Sequence, residues 1–101
     1  MNKIKMCHID ELPVGGSVVK RILARRIAVF NDNGTLYGME GDCKHMKATL
    51  AGSEIKNGIV TCRWHHWKYK LETGECLNVD KVKLKKYEIE LNDDYIYVLL
   101  N

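Results

Sequence analysis

Two short segments constrain this chain more than anything else in it: Cys43-Lys44-His45 and Cys62-Arg63-Trp64-His65. Each joins one thiol to one imidazole, and sixteen residues lie between His45 and Cys62. Ordinary zinc sites keep like ligands together, a C-x₂₋₄-C knuckle being followed by H-x₃₋₅-H. A single tetrahedral zinc has no need of mixed segments. A sulfide-bridged pair of irons does need them, if both segments straddle the cluster and each reaches both metals. Cys43 and Cys62 then take one iron, and His45 and His65 the other. The fold must bring two loops to one place, and the pattern points to one-electron chemistry. A structural zinc site on the same four residues is the alternative.

Length and composition set the frame. At 101 residues the chain is expected to form one domain, 1–101, with a modest core. Net charge is +3, too mild to argue for nucleic acid or a membrane surface. Residues 1–10 carry no apolar stretch of the kind that opens a signal peptide. The longest apolar run, 95–100, falls far short of the ~20 residues of a membrane span. The expectation is a soluble, cytoplasmic monomer.

Four cysteines in principle allow two disulfides. Two of them sit in the ligand motifs. The others, Cys7 and Cys76, are isolated and read as small, partly buried apolar side chains. A Cys7–Cys76 bridge is the alternative, and a reducing cytosol opposes it.

The rest of the chain reads as short strands punctuated by turns, with no convincing helical period. Strands are expected over 3–9, 17–23, 26–30 and 35–39, broken by Pro13 and the Gly15-Gly16 pair, and by a hairpin turn at 31–34. Asn57-Gly58 predicts a second tight hairpin, because Asn-Gly accepts positive φ at both central positions. Its return strand delivers Cys62. Trp67, Tyr69 and Leu71 alternate with charged residues, so that strand has one apolar and one wet face. A last hairpin spans 87–100, turning at 92–94. The alternation slips between Leu84 and Tyr87, which predicts a bulge or strand boundary at Lys85-Lys86.

Residues 41–76 resemble the cluster-binding segment of Rieske ferredoxins, through 43–50, through 62–70 and through Thr73-Gly74. The Leu-Pro-x-Gly stretch at 12–15 and the strand order also resemble that family. The resemblance implies an all-β fold: an antiparallel β-sandwich or barrel with an inserted cluster-binding subdomain at about 41–76. It implies a [2Fe–2S] cluster near one tip, with the edges of His45 and His65 facing solvent. It registers His65, rather than the adjacent His66, as the ligand.

Departures from the family pattern carry information. Arg63 stands where Pro is common, and His66 stands where the family usually has Gly. His66 must therefore take an unusual backbone conformation at some strain or reshape the loop. Met46 and Trp64 occupy the positions where high-potential relatives carry a bracing disulfide. Trp67 replaces a Ser whose hydroxyl bonds a bridging sulfide there, while Tyr69 keeps a position that donates to a cysteine sulfur. Trp64, Trp67 and Tyr69 are thus the residues expected around the cluster, and an ordinary core role for Tyr69 stands beside that reading. Fewer hydrogen bonds to sulfur lower the potential. Nearby cations act weakly the other way: a lysine ~8 Å away in a water-like dielectric is worth ~0.5 kcal/mol, or ~20 mV.

The function implied is electron transfer, from a flavin reductase to a terminal oxygenase or similar enzyme. The chain itself is expected to be a carrier and not an enzyme. Lys44, Lys47, Arg63, His66 and Lys68 are candidates for a cationic docking rim, with loop solvation as their plainer role. A small subunit of a nitrite-reductase-type enzyme is the alternative within the same fold.

Overall fold

The computed structural model describes residues 2–44, 48–64 and 66–100. Among the described residues there are nine strands: β1 (Asn2–His8), β2 (Ser17–Ile22), β3 (Arg25–Asp32), β4 (Thr35–Glu40), β5 (Glu54–Lys56), β6 (Ile59–Thr61), β7 (Lys68–Lys70), β8 (Lys86–Asn92) and β9 (Tyr95–Leu100). They form an antiparallel six-stranded sheet, ordered β1-β9-β8-β4-β3-β2, and a three-stranded sheet, β5-β6-β7. The larger sheet rolls until its edges approach, and Lys20 on β2 donates to the Lys5 carbonyl on β1 at 2.8 Å. The all-β expectation holds.

The alternation of β3 explains the layering. Successive strand side chains point to opposite faces, and Ile27, Ala28, Val29 and Phe30 are all fully buried. Ile27 and Val29 join Met6, Leu12, Ile96 and Val98 inside the roll. Ala28 and Phe30 face the other way, into a core with Leu50, Val60, Tyr69, Leu71, Cys43 and Cys62. One strand thus divides a structural core from the core that holds Cys43 and Cys62.

Turn chemistry matches the sequence closely. Asn33-Gly34 and Asn57-Gly58 have φ of 54°, 96°, 52° and 76°, and each closes a two-residue hairpin, between Asp32 and Thr35 and between Lys56 and Ile59. The first turn is thus shorter than the expected 31–34. Asn31 belongs to β3, and its buried amide donates to the Leu12 carbonyl at 2.8 Å and accepts from the Gly34 N–H at 2.9 Å. The slip at Lys85-Lys86 is a strand boundary, since β8 starts at Lys86. The register irregularity lies instead in β1, between Lys5 and Cys7. Strand β1 also ends a residue early, because the His8 side chain caps a 3₁₀ turn at Ile9–Glu11. No helix among the described residues is long and apolar enough to cross a membrane.

Beyond their shared core, contacts from the segment around β8 help fasten the small sheet to the large one. Gly74, at φ +85°, packs so tightly that a Cβ there would collide with the Leu84 carbonyl oxygen. Lys86 reaches across from β8, its ammonium donating to the carbonyls of Leu71 at 2.8 Å and Glu72 at 3.0 Å.

Candidate metal centre

Cys43 and Cys62, the two expected sulfur ligands, each sit at the base of a tight loop, and similar backbone bonds close both loops. The first is pinned by the Cys43 N–H to the Ala48 carbonyl (2.7 Å), the Leu50 N–H to the Gly41 carbonyl (2.7 Å) and a bridge between Asp42 and Thr49. The second follows β6 directly, as its spacing from Asn57-Gly58 predicts. There the Cys62 N–H donates to the Trp67 carbonyl, and the His66 N–H returns to the Cys62 carbonyl, both at 2.8 Å. His66 adopts φ +62°. It therefore accepts the left-handed conformation of the glycine it replaces, and the loop is not reshaped to avoid it.

Cys43 and Cys62 are both fully buried in the same core. His45, His65, Met46 and Lys47 lie outside the described residues, so two expected ligands and one expected rim lysine have no placement here. Tyr69, at the centre of β7 and fully buried, places its hydroxyl 3.2 Å from the Cys43 sulfur. The same oxygen accepts from the Lys44 backbone N–H at 3.0 Å. Burial, and then the contact with Cys43, hold this phenol well above its usual range, against the smaller opposing pull of the Lys44 N–H. It stays protonated at neutral pH and is able to donate. A metal-bound cysteine has no proton, so the bond then runs from hydroxyl to sulfur.

Two buried cysteine sulfurs among apolar side chains make a poor home for bare thiolates. A metal that takes up their charge resolves this, and soft sulfur donors suit iron. The donor set present therefore fits the sulfur-ligated half of a [2Fe–2S] cluster.

The remaining candidates are spread around the two loops. Trp67 is half-buried against the core. Trp64 is 61% exposed, with the Arg63 guanidinium 5.5 Å from its ring centre. Arg63, His66, Lys44 and Lys68 are exposed. Lys44 bonds Glu40 at 2.9 Å, and the Lys68 ammonium bonds the Thr61 hydroxyl at 3.1 Å. Cys7 and Cys76 are free thiols in different surroundings, Cys7 inside the roll and Cys76 against the cluster-side core. Burial pushes the Cys7 thiol up, in keeping with an inert apolar side chain.

Two supporting residues escaped the sequence reading. Ser53, buried, accepts from the Arg63 N–H at 3.4 Å, and Asn78 accepts from the Lys68 N–H at 2.6 Å. Both are isolated polar residues in loops, a context with no periodicity or motif to mark them.

The chain is 28% identical over 103 residues to the 3-phenylpropionate/cinnamic acid dioxygenase ferredoxin subunit of Photorhabdus laumondii, covering 100% of this chain and 97% of that one. The ferredoxin in a complex of reduced oxygenase and oxidised ferredoxin of carbazole 1,9a-dioxygenase superposes with a TM-score of 0.85 at 23% identity, covering 95% and 91% of the two chains. A protein described as a nitrite reductase NADPH small subunit superposes with a TM-score of 0.81 at 22% identity, covering 99% and 100%. At such identities the two superpositions speak for the fold. The model of the Rieske [2Fe-2S] domain matches residues 2–88, a span that contains both ligand loops and Tyr69. That match favours a [2Fe–2S] cluster over zinc as the reading of the mixed motifs, and the chain belongs to the Rieske [2Fe-2S] domain family.

Proposed function

We propose that this chain, as one domain over 1–101, is a one-electron carrier whose [2Fe–2S] cluster is held through sulfur by Cys43 and Cys62 and through nitrogen by His45 and His65. The observation that carries this reading is the convergence of two fully buried cysteines, each at the base of a closed loop, on one core, with the Tyr69 hydroxyl 3.2 Å from the Cys43 sulfur. When bound, the cluster takes up and returns a single electron. The chain's own residues set the conditions. Leu50, Val60 and Leu71 keep water from the sulfur side, which strengthens each electrostatic contact there. Tyr69 donates to sulfur and is itself oriented by the Lys44 N–H. Fixed dipoles of this kind favour the more negative, reduced state.

The ferredoxin subunits and components among its relatives support a place in an oxygenase system, with a flavin reductase as donor and the oxygenase as acceptor. The chain is a carrier and not the enzyme, and works as a cytoplasmic monomer. The test is metal and sulfide analysis of the purified protein, with visible and EPR spectra before and after dithionite. Two irons and two acid-labile sulfides per chain, with a red-brown colour that bleaches on reduction, are expected. Stoichiometric zinc without sulfide overturns the proposal. The superposition on a nitrite reductase small subunit favours a second reading, a bound subunit of a larger reductase. Co-purification of the tagged chain with a large catalytic subunit separates the two.

A further inference from the structure

Beside the first ligand loop, where β3 begins, β4 ends and β8 begins, two adjoining cavities of about 250 and 300 Å³ share Arg25, Glu40 and Asp42 as walls. One extends to Lys85 and Tyr87, and the other to Cys43 and Lys44. Together they make a groove that runs from Tyr87 to the Cys43 loop. Its carboxylates are already engaged. Glu40 uses one oxygen on the Lys85 backbone N–H (2.5 Å) and the other on the Lys44 ammonium (2.9 Å), and Asp42 pairs with Arg26 at 2.9 Å. Two cations are left over at the far end. The Arg25 guanidinium bonds the Tyr87 hydroxyl at 3.3 Å, and the Lys85 ammonium stands 5.2 Å from the centre of the same ring. Neither is in an ion pair with a carboxylate among the described residues.

We propose that this groove seats a carboxylate of an acidic protein redox partner, held between Arg25 and Lys85 over Tyr87, with the partner's surface lying along the groove toward the Cys43 loop. The proposal rests on the electron-carrier reading above. The chemistry selects the ligand. A planar carboxylate matches the fork of an arginine, and the Lys85 ammonium beside the same ring supplies a second positive charge to it. The two cations, Arg25 at the start of β3 and Lys85 just before β8, are sixty residues apart in sequence, and the fold brings both to one aromatic ring. Arg63 and Lys68 flank the second ligand loop, so the groove offers a separate approach to the same centre.

The test uses the full-length, cluster-loaded protein adsorbed on gold bearing a carboxylate-terminated monolayer, with a hydroxyl-terminated monolayer as the uncharged reference. Voltammetry reads coverage and the interfacial electron-transfer rate. The pair Arg25→Gln with Lys85→Gln is compared with Lys3→Gln with Lys5→Gln, which removes the same charge from β1. At low salt the groove pair is expected to lose about tenfold in coverage or rate on the carboxylate surface, and the β1 pair less than about twofold. Both should keep the wild-type visible spectrum, with the midpoint moved by no more than about 20 mV per charge removed. Lys85→Gln alone, which leaves the Arg25–Tyr87 bond in place, should give part of the loss. Equal losses in the two pairs, or none in the groove pair, overturn the groove. A wild type with no reversible wave overturns the carrier reading instead.

Discussion

The Tyr69 hydroxyl lies 3.2 Å from the Cys43 sulfur and 3.0 Å from the Lys44 backbone nitrogen. It therefore accepts from the first ligand loop and, with Cys43 bound as a thiolate, would donate back to it. The position of the phenol and the shape of the first ligand loop are set together, and the β7 backbone behind Tyr69 is paired with β6, the strand that delivers Cys62. One side chain thus ties both ligand loops to one small sheet.

This contact predicts a redox effect. A hydrogen bond of about 1 kcal/mol that favours the reduced state raises a one-electron midpoint by about 40 mV. Tyr69→Phe is expected to lower the midpoint by tens of millivolts in protein-film voltammetry while the cluster still assembles. The wild-type midpoint itself should fall below about 0 mV, in the lower part of the Rieske range of roughly −150 to +300 mV, because Met46, Trp64 and Trp67 replace the bracing disulfide and the sulfide-bonding Ser. An unchanged Tyr69→Phe midpoint reduces Tyr69 to core packing, and a wild-type midpoint near the top of the range refutes the disulfide argument.

His66 holds φ +62° without being a glycine. That conformation costs a side-chain-bearing residue roughly 1–2 kcal/mol, part of which glycine gives back as unfolded-state entropy. His66→Gly should therefore gain about 0.5–1 kcal/mol and slow cluster loss on mild heating. His66→Val, whose branched Cβ suits this region least, should lose more than glycine gains. Equal half-lives for all three proteins would show that the loop carries no such strain.

Lys86 predicts a pH dependence. Burial pushes its ammonium below the ordinary value of 10.5, and Glu72 only partly opposes this. Between the folded and unfolded values the folded protein binds fewer protons, so stability rises with pH through that window and is lost as pH falls through the folded value. Urea midpoints of wild type should gain on those of Lys86→Gln as pH is raised toward 10.5. At neutral pH, Lys86→Met should cost about 1–3 kcal/mol, because the Leu71 and Glu72 carbonyls lose their donor. A constant difference across the pH range would contradict the assignment.

Much of this was legible in the residues themselves. The Asn-Gly pairs marked two hairpins because few other dipeptides accept two positive φ values, and the alternation of Trp67, Tyr69 and Leu71 marked the buried face of β7. The mixed ligand motifs announced two loops that must meet. What did not show is what depends on residues distant in sequence. Lys86 fastening Leu71, Asn31 holding Leu12 and Arg25 meeting Lys85 at Tyr87 are all products of packing, and no local pattern encodes them. The 3₁₀ turn at Ile9–Glu11 is too short to carry a period. The departure at His66 lay between: the sequence posed a choice between a strained backbone and an altered loop, and only the backbone angle decided it.

The central claim is that one iron is bound by Cys43 and Cys62 and the other by His45 and His65. Mössbauer spectroscopy of the ⁵⁷Fe-enriched protein, oxidised and dithionite-reduced, tests this most directly. The account predicts two iron populations of equal weight that differ in ligation, with the added electron confined to the nitrogen-bound iron; this pattern should vanish in His65→Ala and survive in His66→Ala. Two equivalent sulfur-bound irons, or a signal lost in His66→Ala but kept in His65→Ala, would contradict it.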